Sequence, residues 1–413
     1  MAMLVAITVL SQFFRVSNGV IGPEVMRDLA MSPQALGFAG AAFFVALALM
    51  QIPVGLLFDR LGPRRTVAWL SLFTVAGALL NAVAHSGAEL FLARFITGVG
   101  CAASFMGAVL LASRWFPPLR YTVVLSVIFS LSNVGTVLGS TPLAAVSEWV
   151  GWRWAFAGAA LLAALLGLAF ALLVRDYPPG GAPPAREPER FAQVLSGLGR
   201  VLRTPGLARV FTMHLFVYAS MVTVLGVWAG PYLNDVHGMD PVTRGDVHLL
   251  MGVAQVLGIL CYGPLDGVFD SRKKVIVPGV LLTVACFACL ALLSRPPAWL
   301  ASTLLVALCF VTSYGIVIVA HGRSLFPDHL AGRGVTTVNL AQAIGTAVLP
   351  AATGVIIGAF AVGASGAVSE LGYRLAFAFM GLLLAACALV YLGVADSRPS
   401  DAHRAPRGGS ISH

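Results

Sequence analysis

The chain has 413 residues, of which 58% are hydrophobic and only 10% charged, and its mean hydropathy is +0.89. A soluble domain carries roughly 25% charged residues, so this chain cannot coat a water-exposed surface of its size and reads as a polytopic membrane protein. The net charge of +9 would suit nucleic acid if it were clustered, but the cations fall in alternate loops, which is a topology signal and excludes that partner.

A spanning helix needs roughly 20 apolar residues. Twelve runs reach that length, at about 3–22, 35–58, 66–85, 89–112, 122–146, 153–174, 208–232, 245–266, 274–294, 297–320, 335–361 and 373–394. They predict an all-α membrane protein with twelve transmembrane helices in two six-helix bundles. Residues 1–176 form the first bundle, 177–206 a linker, 207–395 the second bundle and 396–413 a tail. Most Lys and Arg, including Arg60, Arg114, Arg175, Lys273, Arg323 and Arg398, fall on one side; the other carries only Arg27, Arg153, Arg244, Arg295 and Arg374. The positive-inside rule then puts both termini, the linker and the tail in the cytoplasm. The short loops and tails fit a bacterial inner membrane.

The first run begins at Ala2 and lacks a small-residue cleavage site, so no cleavable signal is expected. The six cysteines all lie in apolar runs and predict no disulfide framework. Cys286 and Cys289 share a C-x-x-C spacing but have no histidine nearby, and read as small packing residues. The linker opens with a flexible Pro/Gly stretch from Tyr177, and 191–202 has the spacing of a short amphipathic helix.

Between the second and third runs stands Gly55-Leu-Leu-Phe-Asp59-Arg60-Leu-Gly62-Pro63-Arg64-Arg65. Gly62-Pro63 breaks the helix, and three arginines mark a cytoplasmic turn. The halves repeat one another. Asp59 has a counterpart at Asp270, Arg114-Trp-Phe-Pro at Arg323-Ser-Leu-Phe-Pro, Gly135-Thr at Gly345-Thr, and Gly151-Trp-Arg-Trp-Ala-Phe at Gly372-Tyr-Arg-Leu-Ala-Phe. Four matches in order, at a nearly constant offset, indicate a duplicated bundle.

The G-x-x-x-D-R-x-G-x-R-R turn and the parallel repeat resemble the major facilitator superfamily of secondary transporters, over roughly residues 3–394. The resemblance implies a substrate site at the interface of the halves near the membrane midplane. It also implies that the Asp59 turn is a latch, with Gly55, Asp59, Arg60, Gly62, Arg64 and Arg65 packing on the start of helix 11 near Gly334. A carboxylate at that helix N-terminus gains about 0.3–1 kcal/mol. The plainer alternative is a solvated loop charge. Asp270 is the second-half counterpart, but Ser271 replaces the arginine and no Gly-Pro follows. Arg94, in Arg-Phe-Ile-Thr-Gly-Val-Gly, matches the family's helix-4 arginine, which implies a part in charge coupling; snorkelling to the outer face is the alternative.

Arg15 is the most informative charge. It lies roughly 20 Å into helix 1, where a guanidinium facing lipid costs at least ~2.5 kcal/mol, so it should face a central cavity. No acid sits one turn away on the same helix. An unpaired cavity arginine suits a carboxylate or phosphate; pairing with an acid of another helix is the alternative. The Arg15–Pro23 spacing resembles that of the organophosphate/phosphate antiporters. Their helix-7 arginine falls here on Val222 and their helix-5 histidine on Ser132, which argues against a phosphate ester and for a singly charged carboxylate.

His214 lies well inside a span and is a candidate for proton coupling, with packing as the alternative. Asn18, Asn133, Tyr218 and Tyr314 are expected to line the cavity, although interhelical hydrogen bonds explain such groups equally well. No phosphate-cradling glycine loop, metal cluster or nucleophile–base pair is visible, so no cofactor, metal or enzymatic activity is expected. The expected partners are a small solute, protons and the lipid bilayer, with the chain a monomer. Two alternatives stay open: efflux of hydrophobic or cationic compounds, which would want a membrane-embedded acid, and a non-transporting sensor on the same fold.

Overall fold

The computed structural model describes residues 1–116, 124–125, 127–128, 130–178, 204–326, 331–362, 367–398 and 400, without the side chains of 331–339, 361–362 and 367. Most of the linker, the expected amphipathic helix at 191–202 and the tail beyond residue 400 lie outside the described residues.

Ten helical stretches are long and apolar enough to cross a membrane. One of them, Pro33–Val83, is bent at Gly62 and supplies two spans. A further span is interrupted and consists of the described residues 124–125, 127–128 and 130–133, then Val134–Leu138 and Thr141–Val150. In chain order the twelve are span 1 (Ala2–Asp28), span 2 (33–61), span 3 (63–83), span 4 (Gly87–Trp115), span 5 (124–150) and span 6 (Trp152–Leu173). The second half has span 7 (Leu207–His237), span 8 (Pro241–Phe269), span 9 (Lys273–Leu292), span 10 (Ala298–Ser324), span 11 (Ala331–Gly358) and span 12 (Glu370–Leu392). A hairpin of Ala361–Val362 against Ala367–Val368 joins spans 11 and 12. The N-terminus, the Asp59 turn and the described chain ends that flank the linker share one face of the bundle, here the basic face; the other is the far face.

Local chemistry sets the helix ends. Ser32, Ser86 and Asp240 cap spans 2, 4 and 8 by accepting from the N–H three residues on. Gly62 adopts φ 76° and ψ 160°, a region open to glycine but costly for other residues. Pro63 then starts span 3, where a missing N–H is no loss. The turn is therefore one residue wide, tighter than the loop implied by runs ending at 58 and restarting at 66.

The duplication is visible in packing. A Cβ on Gly135 in span 5 would lie 2.0 Å from the Val9 carbonyl oxygen of span 1, and one on Gly345 in span 11 would lie 1.7 Å from that of Leu215 in span 7. The repeated Gly-Thr thus marks the same backbone approach in each half. Span 7 is the most buried and span 6 the least. Spans 6, 9 and 12 expose Leu161, Leu172, Leu281 and Leu382, a leucine-rich exterior suited to acyl chains rather than water.

Candidate functional site

Arg15 projects from span 1 into a cavity of about 20 Å³ to which both halves contribute. Gln12, Arg15, Thr136, Tyr218 and Gln255 supply its polar groups, and Val222 and Leu225 form part of its apolar wall. The Arg15 Nη1 donates to the Tyr218 hydroxyl at 3.4 Å, and among the described residues its buried Nε has no partner and its guanidinium makes no ion pair. A guanidinium held out of lipid and lacking a protein counter-ion is an anion site in want of its anion. The volume is room for about one water, so the walls are drawn together in this state. Arg15 is the only cation lining the cavity, and Val222 occupies its wall.

Arg94 does not snorkel. It is 1% exposed, its Nη1 donates to the Phe14 carbonyl at 2.7 Å, and its guanidinium lies 4.8 Å from the Phe43 ring centroid. It therefore grips the backbone of span 1 at the residue before Arg15. His214 is buried in span 7, one turn before Tyr218, and faces Gln342 of span 11 without meeting strict hydrogen-bond geometry. Asn18 is buried with its Nδ2 unpartnered. Tyr314 is buried in the second bundle against Tyr262, with ring centroids 6.2 Å apart. Asn133 is half-buried. None of these four is among the side chains that line the Arg15 cavity.

Immediately on the far-face side of the cavity the halves meet closely. A Cβ on Gly19 would lie 2.2 Å from the Leu225 carbonyl oxygen, and one on Gly230 would lie 1.9 Å from that of Gly19. Span 7 is a π-helix over Val224–Trp228 at this crossing, the sort of local deformation that clusters at functional positions. Further out, Gly37 of span 2 meets Gly354 of span 11, and Thr141 of span 5 donates to Asp246 of span 8 at 2.7 Å. Glu24 of span 1 forms an ion pair with Arg244 of span 8. The site is closed towards the far face.

A family model described as the Major Facilitator Superfamily matches residues 4–350. The chain belongs to the Major Facilitator Superfamily. It is 25% identical over 291 residues to a putative tartrate transporter of Agrobacterium vitis, covering 66% of this chain and 65% of that one. It is 22% identical over 395 residues to the probable galactarate/D-glucarate transporter GudP of Escherichia coli strain K12, covering 86% of each. The match to the first thus spans a little under two thirds of that relative. Among solved structures, a bacterial homologue of the human lysosomal transporter Spinster, inward-facing and occupied, superposes with a TM-score of 0.76 at 17% identity over 95% of each chain. The nucleoside transporter NupG does so with 0.75 at 14% identity, over 96% of this chain and 100% of that one. These likenesses carry the fold, two six-helix bundles in a membrane.

Within this facilitator fold the Asp59 turn is anchored to its own bundle. The Arg64 N–H donates to Asp176 Oδ1 at 2.7 Å, and the Arg64 side chain donates to the Ala171 carbonyl at the end of span 6, at 2.8 Å from Nε and 2.5 Å from Nη2. A Cβ on Gly62 would come within 2.5 Å of Asp176. Asp59, Arg60 and Arg65 are exposed, and no hydrogen bond or ion pair joins Asp59 to another of the described residues. A Cβ on Gly55 would meet nothing within 4 Å, so no close helix approach needs that glycine in this state. The side chains at the start of span 11, near Gly334, lie outside those described. Asp270 is engaged instead with the tail, accepting from the Ser400 N–H at 2.9 Å and hydroxyl at 2.7 Å.

The sequence singles out neither Gln12 nor Thr136, places Gln255 at plausible cavity depth without favouring it, and does not reveal the Glu24–Arg244 pair. Gln12 had a signal, lying three residues before Arg15 and so on the same helix face. Thr136 had one in the repeated Gly-Thr. Arg244 had counted only as a topology charge.

Proposed function

We propose that the chain is a secondary transporter that works by alternating access and carries a small organic anion, with Arg15 gripping its carboxylate. The observation that carries this reading is the unpaired Arg15 guanidinium in a cavity walled by both halves. The relatives' names support it, since tartrate, galactarate and D-glucarate are all carboxylates. Those solutes carry two carboxylates, whereas one guanidinium lines this cavity. A second buried charge without a partner is expensive, so a singly charged carboxylate with polar groups for Gln12, Thr136 and Gln255 fits better. The lining contains no carboxylate, which disfavours a cationic solute.

The coupling is proton symport or exchange, with His214, one turn along span 7 from Tyr218, as the titrating group. The basic face lies in the cytoplasm with both termini, in a bacterial plasma membrane, and the chain acts as a monomer. On that orientation the outer side is shut in this state. Asp59 then engages span 11 only when the cytoplasmic side shuts, completing the latch with Gly55 and the turn arginines.

The test is a thermal-shift screen of detergent-purified wild type beside Arg15→Ala, with carboxylates, phosphate esters, peptides and cationic drugs. A ligand at a hundredfold excess over its Kd stabilises by about 2.7 kcal/mol, read as a rise in Tm. Carboxylates are expected to raise the Tm of the wild type and not of the mutant. A response to cations alone, or one that survives in the mutant, would move the chain to the efflux reading.

A further inference from the structure

Five ion pairs occur among the described residues, and only Glu24–Arg244 joins the two halves. Its setting differs from the rest. The Arg244 side chain is 1% exposed and that of Glu24 is 17% exposed, while the three other pairs on the far face, Arg27–Asp28, Arg153–Asp28 and Arg295–Glu370, leave their arginines 78%, 36% and 86% exposed. Arg244 stands in the first turn of span 8, where its carbonyl accepts from or faces His248 Nδ1 at 2.8 Å, one turn deeper. Its Nη1 and Glu24 Oε2 are buried without partners among the described residues. The pair sits outside the Gly19–Gly230 crossing, so no solute can travel between the Arg15 cavity and the far face along this seam while it is made.

We infer that Glu24 and Arg244 form a charge lock that holds the far side of the transporter shut and must part in each cycle for that side to open. The physics of a buried pair suits a reversible gate. Closing removes both charges from water, and their attraction offsets that cost with little surplus; opening returns both to water together. An apolar seal of similar area would lack that balance, because exposing it to water is uphill throughout. Removing one partner is different. The remaining charge would be buried alone whenever the gate closes, which penalises the closed state specifically. The inference uses the transporter fold and the seam geometry, and is independent of which solute Arg15 binds.

The test reads the gate directly, without a substrate. Val227 is 1% exposed and packs across the seam, its Cγ2 lying 2.8 Å from where a Cβ on Gly40 would be. Val227→Cys, in a background with the six native cysteines replaced, is labelled with a membrane-impermeant maleimide applied to the far face of oriented vesicles. Labelling should be slow with the native pair and rise more than about tenfold in Glu24→Gln and in Arg244→Gln. The exchanged pair, Glu24→Arg with Arg244→Glu, should return it towards the starting rate. Equal rates in the parent and both single variants would overturn the lock, as would an exchanged pair labelled as fast as the singles. Should the neutral variants fail to insert, Glu24→Asp keeps both charges and shortens the reach by one carbon. Faster labelling than the parent then supports the lock, and an unchanged rate overturns it.

Discussion

The turns between spans 2 and 3 and between spans 8 and 9 are copies of one unit, and they are anchored alike. In the first, Asp176 beyond span 6 accepts from the N–H of Arg64, and the Arg64 side chain donates back to the Ala171 carbonyl. In the second, Asp396 beyond span 12 accepts from the N–H of Lys273 at 3.1 Å, and Lys273 Nζ donates back to the Leu392 carbonyl at 2.7 Å. Each is an acid at a helix N-terminus and a cation at a helix C-terminus, both favoured by the helix dipole. The copies differ in their second acid. Asp59 is exposed and has no partner among the described residues, while Asp270, at φ 44°, holds the Ser400 backbone and hydroxyl. Anchoring to the parent bundle is common to both, and among the described residues the extra acid is tied down in the second copy and not in the first.

The sharpest way to break the first copy is at Gly62. Gly62→Ala places an L-residue at φ 76° and drives a methyl into the Asp176 carboxylate. Together these should cost about 2–4 kcal/mol, read as a fall of several degrees in Tm of the purified protein. Gly55→Ala, seven residues earlier in open space, should be neutral or stabilising by up to ~1 kcal/mol through helix propensity. A Gly62→Ala protein as stable as Gly55→Ala would mean that the Asp176 anchor does not fix the turn.

The contrast between the copies was only partly legible in the sequence. Hydropathy is a local property, so the twelve spans could be read in order, and the duplication followed from motifs such as Gly135-Thr and Gly345-Thr. Arg15 stood out because a deep charge is costly in lipid. Depth could be counted along a span, but rotation could not: spans apolar on all sides do not announce which face meets the cavity. Hence Gln12 and Thr136 line it while Asn18 and Asn133 do not. Contacts between the halves were out of reach for a further reason. Glu24 and Arg244 are 220 residues apart, and their meeting depends on how two separately folded bundles dock. Asp270 was read as a second Asp59 because its partner, Ser400, lies in a tail with no pattern of its own.

A smaller effect separates the two acids themselves. Asp59→Asn should leave Tm unchanged, since no described residue bonds to Asp59 here, and should slow transport about two- to fivefold if the carboxylate meets the span 11 dipole in the other state. Asp270→Asn should do the reverse. Asparagine tolerates the left-handed backbone, so the change weakens the acceptor that holds Ser400 and should cost about 1 kcal/mol of stability with transport intact. If both mutants lost transport equally, the second turn would also be a moving part, and the asymmetry would lie elsewhere.

The smallest expected effect is in the second anchor and depends on pH. Partial burial pushes the Asp396 carboxyl up, but hydrogen bonds from the Ser271 hydroxyl and the Lys273 and Ser397 N–H groups outweigh it and leave it below its ordinary value of 3.8. A carboxyl lowered in the folded state stabilises fully above its unfolded pKa, and the contribution fades as pH falls through the folded one. Asp396→Asn should therefore lower Tm slightly at pH 6, and the gap to wild type should close as pH drops below about 4. The gap stays small because the carboxylate is largely exposed and screened. A gap unchanged across that range would mean that the tail is held by Arg272, which donates to Ser397, and by Ser324 rather than by the acid, and the two anchors would then share a geometry without sharing its energetics.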